Sequence, residues 1–132
     1  MGLDYGTRRI GVAISDLLHI TAQPHEVLEA EAADLDEKLQ RLVSEREVSE
    51  IVVGLPVSLS GYEGASAASA RALGERVGVL TGLPVHFYDE RFTSKTANEV
   101  LIAGKVRRAE RKQVVDKVAA AVMLQQWLGS RP

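Results

Sequence analysis

The chain has 132 residues, of which 45% are hydrophobic and 26% charged, and its formal net charge is -2. This length and composition predict one globular domain over residues 1–132, and the absence of cysteine excludes disulfides, thiolate metal sites and cysteine nucleophiles. Since the sequence has neither an apolar run of about 18 residues nor a basic-then-apolar leader, we expect a cytoplasmic protein without a membrane span.

The first third of the chain predicts a hairpin, an edge strand and a helix. Residues 2–6 and 9–15 are short apolar runs joined by a turn, and the second run alternates large apolar with small side chains, which is typical of a β-hairpin. A third strand is expected around residues 19–28, where Pro24 favours the edge of a sheet. Residues 34–46 space their leucines as a surface helix does, with charged residues between them.

The middle of the chain predicts two parallel strands with a helix between them. Residues 50–56, EIVVGLP, form a β-branched run that ends in glycine and proline, as in a strand buried on both faces. Residues 65–80 predict a helix rich in alanine, serine and glycine. Residues 85–88 predict the next strand, which ends in charged residues.

The last third of the chain predicts two helices. One runs from a cap at Thr93 or Ser94 to about residue 103, and the other covers residues 114–128. Residues 104–111 are expected to form a basic connector between them. The whole order, β-β-β-α-β-α-β-α-α, predicts an α/β fold in which a mixed sheet has its first three strands antiparallel and its later strands parallel.

The charge is distributed unevenly along the chain. Residues 26–50 carry nine acidic side chains against three basic ones, whereas residues 105–117 carry six basic side chains against two acidic ones. The first segment is typical of an acidic, solvated surface. The second segment suits contact with the phosphates of a nucleic acid.

Three acidic residues occupy positions that a purely structural acid rarely takes. Asp4 lies inside the first predicted strand, although strand interiors are depleted in aspartate and a buried carboxylate is costly. Glu90, together with Asp89, directly follows the strand at 85–88, at the carboxyl end where α/β sheets place their ligands. Asp116 begins the apolar stripe of the last helix, at helical spacing from alanines, a methionine and a tryptophan.

Carboxylates that converge from separate elements predict a cation between them. They repel one another unless one is protonated or a cation neutralises them, and a hard divalent ion such as Mg²⁺ takes oxygen ligands while also binding substrate phosphates. Two such ions, about 3.5–4 Å apart, would activate a water and stabilise the leaving oxygen of a phosphodiester. The pattern therefore suits metal-dependent phosphoryl chemistry, with the basic segment holding the backbone of a polyanionic substrate.

Each acid taken alone also has a structural explanation. An aspartate in the first turn of a helix, as Asp116 would be, usually caps the helix or interacts with its dipole. Glu90 could form an ion pair with Arg91 or Arg71, and Asp4 could bond its own turn. Only the joint placement of the three acids favours a functional site over these alternatives.

Four segments together resemble the YqgF/RuvX family, in that family's order and spacing. This family comprises RNase H-like bacterial proteins described as pre-16S rRNA processing nucleases and Holliday junction resolvases. The resemblance spans nearly the whole chain, and the set of four motifs is far more specific than any one of them. The segments are LDYGTRRIGVAISD, IVVGLPVSLSGYEG, YDERFTS and VVDKVAAAVMLQQWL.

The resemblance implies an RNase H-like α/β fold and a set of site residues. It implies that Asp4, Glu90 and Asp116 are the catalytic acids and the ligands of Mg²⁺ or Mn²⁺. The residues expected to bind nucleic acid are all basic: Arg9, Arg107, Arg108, Arg111 and Lys112. Since residues 119 and 120 are both alanine, the fourth acid that related resolvases carry on the last helix is absent, so either one metal or a second held only with substrate would fit.

The expected function is that of a metal-dependent endonuclease acting on structured nucleic acid, in 5′ processing of pre-16S rRNA. One alternative is a Holliday junction resolvase acting on branched DNA, for which symmetric cleavage would call for a homodimer. A second is a nucleotide-binding module, because DYGTRRIG also resembles the phosphate hairpin of actin-like ATPases. A third is a non-catalytic scaffold that binds RNA or the ribosome and keeps the acids for folding.

Overall fold

The computed structural model describes residues 1–6, 8–56, 61, 63–89 and 108–130, with the side chains of residues 108–114 left undescribed. The predicted helix at 93–103 and residues 104–107 of the predicted connector lie outside these ranges. Within the described residues, no helix is both long and apolar enough to span a membrane.

A five-stranded mixed sheet forms the centre of the structure, in the order β3-β2-β1-β4-β5. The first three strands pair antiparallel, and β1 with β4 and β4 with β5 pair parallel, which confirms the predicted α/β class. Because β3 is an edge strand, the expectation based on Pro24 is also confirmed. The strands are β1 (Gly2–Tyr5), β2 (Arg9–Ser15), β3 (Ala22–Glu29), β4 (Ile51–Leu55) and β5 (Val85–Asp89).

Three described helices cover the two faces of the sheet: α1 (Leu35–Glu45), α2 (Ala65–Thr81) and α3 (Arg108–Ser130). The leucines of α1 and the apolar stripe of α2 pack with Leu3 and Ile10 in the larger core cluster. On the other face, α3 packs Ala120, Met123 and Leu124 against small and β-branched strand residues. Burying apolar area on both faces is what makes such a layered arrangement stable.

The alternation of side chains along β1 places Asp4 on the face that α3 covers. Leu3 is fully buried in the cluster with α1 and α2. Gly2 faces the opposite way, since a Cβ added there would lie 3.0 Å from the Cβ of Leu124. Successive strand residues point to opposite faces, so Asp4 shares the face of Gly2.

The backbone of α3 approaches the sheet most closely at Gly11. A Cβ added to Gly11 would collide with the carbonyl oxygen of Asp116. Gly11 is also the cross-strand partner of Asp4 in the antiparallel pair of β1 and β2. A residue without a side chain is therefore required at this position for α3 to lie on the sheet beside Asp4.

The start of the last helix corrects one prediction. We predicted a connector up to residue 111 and a helix from residue 114, but α3 begins at Arg108. Its first six residues, RAERKQ, are all strong helix formers, and this local preference overrides the loop that their charge suggested. Asp116 consequently lies more than two turns into α3, so the dipole or capping explanation for an aspartate in a first turn does not apply to it.

The third strand begins later than expected, at Ala22. The side chain of Asp16 holds the preceding segment in a turn, because its Oδ1 accepts hydrogen bonds from the backbone N–H groups of Ile20, at 2.7 Å, and Thr21, at 3.2 Å. Aspartate commonly organises turns in this way. The turn lies at the end of β2 remote from Arg9 and Gly11.

We predict that Gly11→Ala lowers the free energy of unfolding, because the new methyl group forces α3 off the sheet. The loss should be about 3 kcal/mol, the upper end of the range typical of overpacking. Urea unfolding measures this change. Gly129→Ala, near the end of α3, is the control, because nothing lies within 4 Å of its added Cβ. It should be neutral or stabilising, by up to about 1 kcal/mol. A Gly11→Ala protein as stable as the wild type would contradict the close packing of α3 on β2.

Candidate functional site

Asp4 is the buried charged residue of the site. It is 9% exposed, and no other polar or charged side chain within the described part of the chain is buried. Its neighbours in the sheet are both glycines, Gly11 in β2 and Gly54 in β4. Neither neighbour places a side chain beside the carboxylate, so the surface next to Asp4 is shaped by backbone. A small ligand can approach a carboxylate more closely in such a setting.

Asp116 reaches the same place from the helix. Its carbonyl oxygen lies against Gly11, and its side chain is 25% exposed. Arg9, two residues before Gly11 and on the same face of β2, donates a hydrogen bond from Nε to Asp116 Oδ2 at 2.9 Å. The structure thus places two of the three predicted acids, from β1 and α3, next to one glycine on the same face of the sheet.

The local environment raises the pKa of Asp116. Burial is the largest cause, since it disfavours the charged form of the carboxyl group. The charge of Arg9 and its hydrogen bond act in the opposite direction and lower the pKa, but they only partly compensate. Positive charge in addition to that of Arg9 would therefore stabilise the ionised form of Asp116 further.

The contact between Arg9 and Asp116 was not anticipated from the sequence. In the structure the Arg9 guanidinium is paired with a carboxylate, and its expected contact with phosphate stays a prediction. The signal that could have indicated the pair is the spacing in β2: residues 9 and 11 share a face, and Gly11 marks where α3 approaches. The partner on α3 could not have been read from spacing, because 107 positions separate the two residues.

The remaining predicted residues are not positioned by the described part of the chain. Glu90 and Arg107 lie outside it. Arg108, Arg111 and Lys112 belong to the first turns of α3, but their side chains are among those left undescribed. Within the described residues, no group of three or more histidine, cysteine, aspartate or glutamate side chains is placed to hold a metal ion.

Asp89 lies on the other face of the sheet and is not part of this group. It is the last residue of β5 and pairs with Leu55, which belongs to the core cluster shared with α1 and α2. Its charge also acts on Glu63, just before α2. Glu63 in turn accepts two hydrogen bonds from Arg71, at 2.9 and 3.1 Å, so Arg71 already has a carboxylate partner other than Glu90.

Comparison with known proteins identifies the family. A family model described as "RuvX: Holliday junction resolvase" matches residues 1–130. The chain belongs to the RuvX family. A relative from Lactococcus lactis subsp. lactis is 44% identical over 131 residues, which are 97% of this chain and 92% of the relative. Another, from Heliobacterium modesticaldum, is 45% identical over 133 residues, which are 99% of this chain and 89% of the relative. Both relatives are named "Putative pre-16S rRNA nuclease".

Solved structures show that the RuvX chain has the fold of RuvC. Thermus thermophilus RuvC in complex with a Holliday junction substrate matches with a TM-score of 0.58 at 19% identity, covering 98% of this chain and 94% of that one. A second Thermus thermophilus RuvC structure matches with a TM-score of 0.52 at 17% identity. The expected RNase H-like fold and family are both confirmed. The family and the names of its members identify this RuvX protein as a nuclease, a hydrolase of phosphodiester bonds.

We predict that Arg9→Gln raises the pKa of Asp116 further, since it removes the group that holds this pKa down. The measurement is a pH titration of the Asp116 carboxyl carbon by ¹³C NMR. An aspartate whose folded-state pKa lies above its unfolded value stabilises the protein below the unfolded pKa, about 4, and this stability is lost as the pH rises through the folded pKa. The variant should therefore lose more stability at neutral pH than at pH values below that window.

Arg8→Gln serves as the control for this titration. Arg8 is exposed beside Glu29 and Glu31, and its loss removes the same charge one residue away. It should leave the Asp116 titration nearly unchanged. An Asp116 pKa that stays constant or falls in Arg9→Gln would contradict the ion pair.

Proposed function

We propose that this protein is a metal-dependent endonuclease that cleaves structured RNA in the 5′ processing of pre-16S rRNA, and hence acts in the cytoplasm. One observation carries the proposal: Asp4 and Asp116, from a strand and a helix far apart in sequence, flank the same glycine on one face of the sheet. A cation bound between two carboxylates that converge from separate elements would stabilise both of them in such a partly buried place.

The chemistry of the residues present fits a hard divalent cation. Asp4 and Asp116 offer carboxylate oxygens, which Mg²⁺ and Mn²⁺ prefer as ligands. Asp4 is buried, and Arg9 only partly offsets the burial of Asp116, so a nearby cation would stabilise the ionised form of both residues. We propose Glu90 as the third acid, since Asp89, the preceding residue, faces the opposite side of the sheet.

The chain's own residues would hold the reacting groups in fixed positions. A bound divalent cation would supply positive charge at the scissile phosphate and lower the pKa of an attacking water. Asp4 would hold this cation rigidly, because β1 is paired on both sides by β2 and β4. Asp116 would complete the site from α3, and its position depends on the contact of its backbone with Gly11.

The basic start of α3 suits contact with the substrate backbone. Residues 108, 112 and 116 are spaced four apart, which is about one helical turn. Positions 108 and 112 therefore lie on the same side of α3 as Asp116, nearer to the amino end of the helix. We propose that Arg108 and Lys112, together with Arg107 and Arg111, bind phosphates beside the scissile one. Such contacts position a nucleic acid without reading its sequence.

RNA is favoured over branched DNA as the substrate. Relatives that are 44–45% identical over nearly the whole chain carry an rRNA nuclease name. The second candidate is cleavage of Holliday junctions, and the family's own description supports it. That reaction cuts two strands symmetrically, so it would require a homodimer.

We predict that Asp4→Asn lowers Mg²⁺- or Mn²⁺-dependent cleavage by at least about a hundredfold while leaving the fold intact, because the amide has nearly the same shape but cannot carry the charge. Cleavage is measured side by side on a pre-16S rRNA fragment and a synthetic four-way junction, and circular dichroism checks the fold. Asp34→Asn makes the same chemical change at an exposed residue and should cleave like the wild type.

The outcomes of this assay separate the candidate functions. Cleavage of the rRNA fragment in preference to the junction supports the proposal, and paired symmetric nicks in the junction would support the second candidate. Undiminished cleavage by Asp4→Asn would overturn the assignment of the site. Specific RNA binding with no cleavage by the wild type would support a non-catalytic scaffold.

We also predict that Glu90→Gln abolishes cleavage whereas Asp89→Asn retains it. The two residues are adjacent, but Asp89 belongs to the face covered by α1 and α2, where its charge acts on Glu63, whereas Asp4 and Asp116 lie on the face covered by α3. The same cleavage assay measures both variants. If Asp89→Asn were the inactive variant and Glu90→Gln the active one, the third acid would be misassigned.

A further inference from the structure

The ion pair between Arg9 and Asp116 uses only part of each group. Arg9 contacts Asp116 Oδ2 through Nε, at 2.9 Å. Among the described residues, no other hydrogen bond is made by the Arg9 guanidinium or by Asp116 Oδ1. The pair is partly exposed, with 37% of the Arg9 side chain and 25% of the Asp116 side chain accessible to solvent. It is therefore a contact that a stronger ligand of either partner could replace.

The position of Arg9 gives a physical reason why it could leave Asp116 for another partner. Its guanidinium supplies positive charge to the carboxylate of Asp116, a residue whose backbone lies against Gly11, the same glycine that pairs with Asp4. A divalent cation at these carboxylates would provide that charge more strongly and would repel the guanidinium. A guanidinium released there is well suited to a phosphate, because its planar set of donors matches phosphate oxygens.

We propose that Arg9 is a positioning residue that changes partner during the reaction: it pairs with Asp116 while the site holds no metal, and it pairs with a substrate phosphate once a divalent cation occupies the carboxylates. This inference rests on the proposed nuclease function. Metal binding and substrate binding are then coupled through one side chain, which neutralises the acid in one state and the phosphate in the other.

The proposal predicts effects of opposite sign on the two ligands. Without Arg9 the carboxylates lose a competing cation, so a divalent metal binds more tightly. Nucleic acid binds less tightly in the metal-loaded protein, because a phosphate contact is lost. A purely structural role for Arg9 would weaken both kinds of binding or change neither.

The first test measures Mn²⁺ binding to the full chain in the absence of nucleic acid, by isothermal titration calorimetry or by electron paramagnetic resonance of the free ion. Arg9→Gln should lower the Mn²⁺ dissociation constant about threefold or more, as expected for removing a partly exposed ion pair. Arg8→Gln is the matched control and should leave it unchanged. Unchanged or weaker Mn²⁺ binding by Arg9→Gln would overturn the proposal. Arg9→Met, which keeps the apolar stem, replaces Arg9→Gln if the glutamine variant does not fold.

The second test is a double-mutant cycle in EDTA, where no cleavage occurs and no metal contributes. Asp116→Asn releases Arg9, so it should tighten binding of a pre-16S rRNA hairpin about threefold more when Arg9 is present than in the Arg9→Gln background. Equal effects in both backgrounds would show that the two residues act independently and would overturn the exchange.

The two tests are separate from the test of the proposed function. Both report binding rather than cleavage. A wild-type protein that cleaves RNA but shows no coupling between Arg9 and Asp116 would remove this inference and leave the nuclease assignment standing. Undiminished cleavage by Asp4→Asn would remove the assignment itself.

Discussion

The close approach of α3 to β2 at Gly11 is the constraint on which the candidate site depends. Any side chain at this position would collide with the carbonyl oxygen of Asp116. Because there is none, the helix lies directly on the sheet, and an acid on a helix comes to stand beside an acid on the central strand. The glycine contributes no chemical group of its own. Its contribution is the space that lets two acidic residues separated by more than a hundred positions lie next to each other.

The two faces of the sheet differ in the size of their side chains and in how the helices pack on them. The face toward α1 and α2 is filled by large aliphatic residues such as Leu3, Ile10 and Val53, and it holds most of the hydrophobic core. The face toward α3 is lined by glycine, alanine and valine, which allow the helix to pack tightly. At the end of this face where the apolar contacts of α3 stop, Arg9 and Asp116 form the ion pair instead. The stability that the larger cluster provides thus allows charged groups to occupy partly buried positions on the face toward α3.

The sequence predicts the sheet well and the geometry of the site only in part. Alternation in residues 9–15, the β-branched run at 50–56 and Pro24 each report local physical preferences, and each led to a strand where the structure has one. The predicted start of α3 was wrong because the basic residues there were interpreted by their charge rather than by their helix propensity. The pairing of Arg9 with Asp116 could not be predicted, since it depends on how a helix docks on a strand that is distant in sequence. Asp4 could be singled out early because an aspartate inside a strand conflicts with its surroundings, and such conflicts concentrate at functional sites.

A divalent cation shared by Asp4 and Asp116 is the essential feature of the proposed site. The most direct measurement is a crystal structure of the protein grown with Mn²⁺ and an uncleavable RNA duplex, in which anomalous scattering locates the ion. We expect a Mn²⁺ ion about 2 Å from carboxylate oxygens of both Asp4 and Asp116, as for Mg²⁺ in an octahedral oxygen site. Manganese bound elsewhere on the protein, with neither carboxylate among its ligands, would contradict it.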